Sequence, residues 1–132
     1  MSSYLTFYIQ TKKDEKIAIA SYSRNTNIYK AFNENLSIAY AGEEEYYTEL
    51  TPENVGFVCA DIQNDIDSTR DSIDVCAKYA KDNLECIHEI ASLQDYLKDL
   101  QSTLWTISFI ETMVQEIQLK SSDAKAVLVN II

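Results

Sequence analysis

The chain has 132 residues, of which 46% are hydrophobic, and it carries 11 Lys and Arg against 21 Asp and Glu, a formal net charge of -10. This length suits one hydrophobic core and predicts a single domain over 1–132. The excess negative charge argues against duplex DNA, RNA or an anionic membrane as a direct ligand, because phosphate groups are bound by clustered cations.

The three cysteines indicate where the protein works. Cys59, Cys76 and Cys86 lie in apolar helical patterns and lack the spacing of a redox or metal motif. An odd number of such thiols is typical of a reducing compartment rather than of a disulfide framework. The sequence also shows no signal-peptide pattern and no apolar run as long as a membrane span. We therefore expect a cytoplasmic protein with no membrane partner.

The backbone breakers divide the chain. Its one proline and its two glycines fall within fifteen residues, and the 76 residues after Gly56 contain neither type. Because Gly and Pro are the main punctuators of helices and turns, this stretch predicts long helices. We expect a mixed part at 1–51, a helical hairpin at 52–119 and a returning strand at 120–132.

The mixed part begins with a strand pattern. Leu5, Phe7 and Ile9 alternate with Thr and Tyr, and this period of two predicts a strand over 4–11. A charged stretch then leads to a second apolar segment at 17–23, so the pair predicts an antiparallel hairpin.

A short helix is expected next. The polar residues at 25–27 offer caps, and Ile28, Phe32 and Leu36 recur every four residues, which gives a helix one apolar stripe. The following segments are a predicted loop at 37–45 and a predicted short strand at 46–51.

The first long helix has a clear start. Thr51 can cap free backbone N–H groups, Pro52 is tolerated at the first helical position, and Glu53 favours the positive end of the helix dipole. Its apolar positions then follow in steps of three and four, which predicts one buried stripe. Asp82 with Glu85 resembles a capping box, so we predict a break between two helices there.

The second long helix widens along its length. Apolar residues recur in steps of three and four from Leu84 to Ile117. Around Trp105, Phe109 and Met113 the apolar surface exceeds one stripe, which predicts packing against more than one neighbour and favours homodimerisation through these three residues.

The β-branched residues at 126–132 predict a strand that returns to the first hairpin. The predicted fold class is therefore α+β, a small antiparallel sheet with a short helix and a long antiparallel helical hairpin.

An acidic ridge is the first candidate site. The carboxylates lie at helical steps of three and four on faces away from the apolar stripe, and they are Asp61, Asp65, Asp67, Asp71 and Asp74. Such a row is usually a solvated face. The alternative is a surface for a basic protein partner, including one that itself binds nucleic acid.

Tyrosines supply a second candidate surface, since seven of the nine lie in the first 47 residues. Tyr4 and Tyr8 on the first strand are expected either to cover the small core or to meet a partner. Tyr22, Arg24 and Asn25, at the end of the second strand, are a candidate site for an anion or nucleotide-like ligand, against the simpler alternative of a capped turn.

Signatures of catalysis are missing from the sequence. It contains no Gly-rich phosphate loop and no Gly-x-Ser-x-Gly motif. Its single histidine, His88, follows Glu85 at the spacing of a di-iron motif, but such a site repeats that motif on another helix. We therefore predict no catalytic residues, no metal and no cofactor.

The segments YLTFYI at 4–9, SYSRNT at 21–26 and TPE at 51–53 resemble small acidic accessory proteins of phages and mobile elements of gut bacteria. The resemblance implies a non-enzymatic protein in the bacterial host cytoplasm that binds a host or phage component, with inhibition of a defence system as one role. The leading hypothesis is stoichiometric protein binding through the acidic helical face. A homodimeric assembly protein and a small-ligand sponge are the alternatives.

Overall fold

The structure, a computed structural model, describes residues 3–38, 46–120 and 123–132, without the side chains of 118–120. Its elements are β1 (Tyr4–Thr11), β2 (Lys16–Ser23), α1 (Asn27–Asn35), β3 (Thr48–Glu49), α2 (Pro52–Tyr79), a 3-10 turn (Ala80–Asp82), α3 (Leu84–Lys120) and β4 (Ala124–Ile131). The predicted α+β class and the long helical hairpin are confirmed. Most of the loop predicted at 37–45 lies outside the described residues.

Within the described part of the chain, four strands form one antiparallel sheet in the order β2-β1-β4-β3. The predicted N-terminal hairpin is present, and the predicted C-terminal strand pairs along β1 from Leu5 opposite Ile131 to Thr11 opposite Ala124. The strand expected at 46–51 is only two residues long. It ends early because Thr51 already caps α2.

The core lies between one face of the sheet and the three helices. Phe7 is fully buried at its centre, with its ring edge-on to Phe32 of α1 at 5.1 Å and to Tyr22 of β2 at 6.0 Å between centroids. Aliphatic side chains from every layer complete it: Leu5, Val55, Val58, Ile62, Ile66, Leu100, Ile107, Ile110, Val114, Val127, Val129 and Ile131. Alternate side chains of β1 and β4 thus pack against the apolar stripes of the helices.

The start of α2 is fixed by reciprocal hydrogen bonds. The backbone N–H of Asn54 donates to the Thr51 hydroxyl at 3.1 Å, and the backbone N–H of Thr51 donates to the Asn54 side-chain oxygen at 2.8 Å. This capping box satisfies two donors that a helix start leaves free. Thr51 was predicted as the cap, whereas its partner Asn54 was not.

The break between the long helices is where the sequence places it, but its cap differs. Asp82 was predicted to accept the capping bond. Instead, the 3-10 turn carries the chain through Asp82, and the extended residue Asn83 accepts from the backbone N–H of Glu85 at 2.9 Å. The prediction of Asp82 as the cap was wrong because that residue is still inside a helical turn.

The helical hairpin outgrows the core. In α2 the apolar stripe is buried as far as Thr69, and in α3 burial resumes only at Leu100. Between them, all residues are described and none is buried. We call residues 70–95 the projecting end, and the rest of the described structure the base. Among the described elements, the projecting end consists of parts of α2 and α3 and the 3-10 turn, which contact one another.

Candidate functional site

The predicted acidic ridge is divided between two sides of α2. Asp61 turns towards α1, where its carboxylate accepts a hydrogen bond from the Asn35 side-chain amide at 2.9 Å. Asp65 lies one turn further along the same side. The remaining carboxylates point elsewhere because their helical spacing rotates them away, and they are the exposed Asp67, Asp71 and Asp74.

The inner pair opens into an acidic groove between the three helices. This cavity, of about 140 Å³, is lined by Lys30 and Glu34 of α1, Asp61 and Asp65 of α2, and Tyr96 and Leu100 of α3. Asp99 lies one turn beyond Tyr96 and contacts the Asn27 side chain. Residues from three separate segments therefore meet at the acidic groove.

Negative charge is concentrated around Tyr96. Partial burial raises the pKa of its phenol, and the surrounding carboxylates raise it further, Asp65 first and then Asp99, Glu34 and Asp61. The pKa of Asp65 is also raised, mainly by loss of solvent and then by the charge of Asp61. Among the described residues that line the groove, Lys30 is the one cation. The acidic groove therefore favours an additional positive charge.

The sequence predicted only Asp61 and Asp65 of this site. Glu34, Tyr96 and Asp99 were not predicted to join Asp61 and Asp65. A local signal was present, since Tyr96 and Asp99 are three residues apart and so share one helix face. The contribution of α1 had no such signal, because it depends on how α1 packs across α2 and α3.

Tyr40 lies outside the described residues, and the other tyrosines of the first 47 residues differ in their surroundings. Tyr4 is exposed. The Tyr8 ring is covered by the edge-on ring of Tyr47, with centroids 5.2 Å apart, and the Lys16 amine lies 5.0 Å from the centre of the Tyr47 ring. Tyr22 contacts the core instead. Much of the predicted Tyr-rich surface is thus used in internal packing.

A polar cavity of about 300 Å³ lies where the small-ligand site was predicted. Tyr22 and Asn25 line it, together with Asp99, Ser102 and Thr103 of α3. Arg24 is not among the lining residues, and among the described ones the lining holds no cation. The cavity therefore lacks the group expected to bind a phosphate, and its amides, hydroxyls and single carboxylate suit a neutral or cationic ligand.

The aromatic residues of α3 form an exposed pair. Trp105 is 72% exposed and Phe109 is 59% exposed, and their rings stack with centroids 6.4 Å apart and an angle of 18° between planes. Met113, predicted to join them, is half-buried against the core. Within the single chain, packing of this helix against several neighbours does not cover Trp105 or Phe109.

The last features are the surroundings of the single histidine and the apolar character of the helices. His88 and Glu85 are both exposed, and in the described part of the chain no three His, Cys, Asp or Glu side chains converge as metal ligands. None of the described helices combines the length and the apolar character that crossing a bilayer requires.

Comparison with known proteins identifies no relative of this chain. The chain matches no protein-family model, no curated protein and no solved structure at a significant level. The resemblance to phage accessory proteins therefore stays a prediction.

Proposed function

We propose that the protein is a non-enzymatic binding module that captures a basic protein partner stoichiometrically in the acidic groove. The observation that carries this proposal is that Glu34, Asp61 and Asp65 line one groove together with Tyr96. Asp99, which lies one turn beyond Tyr96, adds its charge nearby. Like charges gathered from three helices destabilise one another, and a cation placed among them relieves that repulsion.

The size of the groove suggests what enters it. A cavity of about 140 Å³ accommodates one long side chain rather than a folded surface. A Lys or Arg there would meet the carboxylates of Asp61 and Asp65 and the face or edge of the Tyr96 ring. The partner is therefore expected to present a basic residue on a protruding helix or loop.

The site is also partly preorganised. Asn35 holds the Asp61 carboxylate at 2.9 Å, and Asn27 contacts the Asp99 carboxylate. Fixed acceptors lose less conformational freedom on binding, so more of the interaction free energy appears as affinity. The exposed Asp67, Asp71 and Asp74 would add long-range attraction and speed association.

The class of partner follows from the chemistry of the groove. Proteins that bind nucleic acid display clustered Lys and Arg, so an acidic module of this kind fits such a surface. Together with the resemblance to phage accessory proteins, this supports a role in the bacterial host cytoplasm as a stoichiometric inhibitor, with defence inhibition as one form.

The decisive experiment is capture of the partner followed by calorimetry. Tagged protein should retain a basic partner from host lysate, and the purified pair should bind in a fixed stoichiometry. The Asp61→Asn/Asp65→Asn variant should weaken binding by about tenfold or more, because two carboxylates that contact the incoming cation are lost. Asparagine matches aspartate in shape, so the groove itself is retained.

The matched control is Asp71→Asn/Asp74→Asn on the outer side of α2. It removes the same charge but leaves the groove intact, so a much smaller loss of affinity is expected, mainly in the association rate. If the control variant loses as much affinity as the groove variant, long-range charge alone accounts for binding. If only the control loses affinity, the partner binds Asp67, Asp71 and Asp74 instead.

A second candidate function is binding of a small ligand in the polar cavity at Tyr22 and Asn25. The cavity of about 300 Å³ is within the range of small-molecule sites. Its lining favours a polyhydroxyl or nucleoside-like ligand over a phosphorylated one. Native mass spectrometry of freshly purified protein should then show a retained mass that Tyr22→Ala abolishes, and protein recovered without any added mass would count against this candidate.

A further inference from the structure

The outward side of α3 carries a regular exposed row of side chains. These residues recur at steps of three and four, and all six are exposed: Lys98, Gln101, Trp105, Phe109, Thr112 and Glu116. We call this row the outer stripe. At its centre are the stacked rings of Trp105 and Phe109.

The outer stripe has no net charge, although the molecule as a whole is strongly acidic. The chain has a net charge of -10, yet the stripe carries one cation, Lys98, and one anion, Glu116. Its centre is uncharged and aromatic. Self-association through the acidic outer side of α2, where Asp67, Asp71 and Asp74 are exposed, would be opposed by charge repulsion. The outer stripe brings no net charge to such a contact.

The aromatic residues and the charged residues of the stripe are each spaced symmetrically about one point, and the two charged residues have opposite signs. Ile107 is the midpoint between Trp105 and Phe109, two residues from each, and also between Lys98 and Glu116, nine residues from each. At 1.5 Å per residue, each charged group is about 14 Å from that midpoint along the axis. A two-fold axis perpendicular to α3 at the level of Ile107 would therefore place Trp105 of one copy beside Phe109 of the other. It would also place Lys98 of one copy beside Glu116 of the other.

From this spacing we propose that the outer stripe binds a second copy of the chain. The two α3 helices pair antiparallel across a two-fold axis at Ile107. Trp105 of each copy then packs on Phe109 of the other, and Lys98 lies level with Glu116 of the other. An isologous contact of this kind closes on itself and gives a dimer rather than a fibre.

The dimer is expected to be weak and reversible. The stripe covers 19 residues, and its ends are about 27 Å apart along the helix, which is short for a stable interface of about 800 Å² per partner. A dissociation constant in the micromolar range is consistent with two aromatic anchors per copy. Tyr96 and Leu100 of the acidic groove face α1, so pairing through the outer stripe leaves that groove open, and the two proposals can fail independently.

Sedimentation velocity across a concentration series up to several hundred micromolar tests the dimer. The wild-type chain should shift from one copy to two, and Trp105→Ala should raise the dissociation constant by about tenfold or more. Tyr79→Ala is the control, since Tyr79 is comparably exposed at 61% but lies about 30 Å away along the hairpin. A wild-type chain that stays a single copy throughout, or equal weakening by both variants, would overturn the proposal.

Charge exchange tests the register. Lys98→Glu alone and Glu116→Lys alone should each weaken the dimer by about threefold to tenfold, because each places like charges opposite one another twice. The double variant Lys98→Glu/Glu116→Lys should restore wild-type association, since every pair is opposite again. Without that restoration, the antiparallel pairing centred on Ile107 is wrong.

Discussion

The base and the projecting end share the helices α2 and α3, yet they are held together differently. In the base, the apolar stripes of both helices meet the sheet and α1, and side chains such as Val58 and Ile107 are fully buried. In the projecting end the stripes continue through residues such as Ile73 and Leu93, which are only half-buried. The same sequence pattern therefore yields different stabilisation, depending on how many layers cover it.

This difference indicates how the surfaces are used. The base supplies rigid attachment for the acidic groove and the outer stripe, whose central residues lie beside buried positions of α2 and α3. The projecting end offers exposed side chains on a two-helix element with few buried contacts, and such elements open locally at low free energy.

The largest expected effect compares matched residues of one stripe. Ile66 is 2% exposed in the base, whereas Ile73 lies two turns later in the projecting end. Ile66→Ala should lower the free energy of unfolding by about 2 to 5 kcal/mol because it leaves a cavity. Ile73→Ala should cost about 1 kcal/mol. Urea unfolding followed by circular dichroism measures both, and equal losses would remove the distinction between the two regions.

The thiol of Cys59 probes protection by the base. Burial raises its pKa to about 11 from 9.0, with further contributions from the charge of Glu111 and a hydrogen bond to it. At pH 8 its alkylation by iodoacetamide should be about a hundredfold slower in the folded protein than in urea, because only the thiolate reacts. Mass spectrometry of the modified peptide gives the rate.

The raised pKa of Cys59 also makes the stability of the protein depend on pH. Because the folded pKa is raised, the stability that the neutral thiol contributes is present below pH 9.0 and is lost as the pH rises to about 11. Cys59→Ser should keep its stability better over that window. An equal alkaline loss in the two proteins would contradict this origin.

The two helix starts provide a smaller contrast. Thr51→Ala removes one half of the capping box in the base and should cost about 1 kcal/mol, with Thr51→Ser close to wild type. Asn83 caps α3 in the projecting end, where fraying is already easy, so Asn83→Ala should change the global free energy of unfolding less. Thermal melts of the three variants would reveal the order.

The smallest effect concerns the acidic groove near the border of the two regions. The pKa of Asp65 is raised by partial burial and by Asp61, so its charged form is disfavoured in the folded state. Asp65→Asn should therefore stabilise the protein at neutral pH by a few tenths of a kcal/mol. The gain should fade as the pH falls to the ordinary carboxyl range, where wild-type Asp65 is protonated as well.

The control for that prediction is Asp74→Asn, on the exposed outer side of α2. It removes the same charge away from Asp61, so any general benefit of lower net charge appears in both variants. Only the part of the stability gain of Asp65→Asn that exceeds the gain of this control reports on the groove. Equal gains in the two variants would contradict the crowding of carboxylates there.

The elements could be predicted from the sequence where one physical signal dominates. The period-two pattern around Phe7 gave β1, and the breaker-free stretch after Gly56 gave the two long helices. Both signals are local, because side-chain alternation and the absence of Gly and Pro act through neighbouring residues.

The errors share a cause in non-local packing. Asp82 and Asn83 are both good caps, and the choice depended on how far the helical turn continued. The sequence predicted that α3 packs against more than one neighbour around Trp105 and Phe109, yet the helix rotation that places Ile107 inward turns both outward, away from the neighbours within the chain. Glu34 joined the groove only because α1 packs across the hairpin.

The central strands of the sheet come from opposite ends of the sequence. β1 lies beside β4, and the backbone N–H of Ile132 donates to the carbonyl of Tyr4 at 2.9 Å. At about 5 to 20 residues per second, a ribosome needs roughly 6 to 23 s to travel from Thr11 to Val127. Until then the β1–β2 hairpin has no central neighbour, and a lone hairpin is only marginally stable. Because α2 and α3 both precede β4 in the chain, the central β1–β4 pairing can form only after the two long helices have been synthesised.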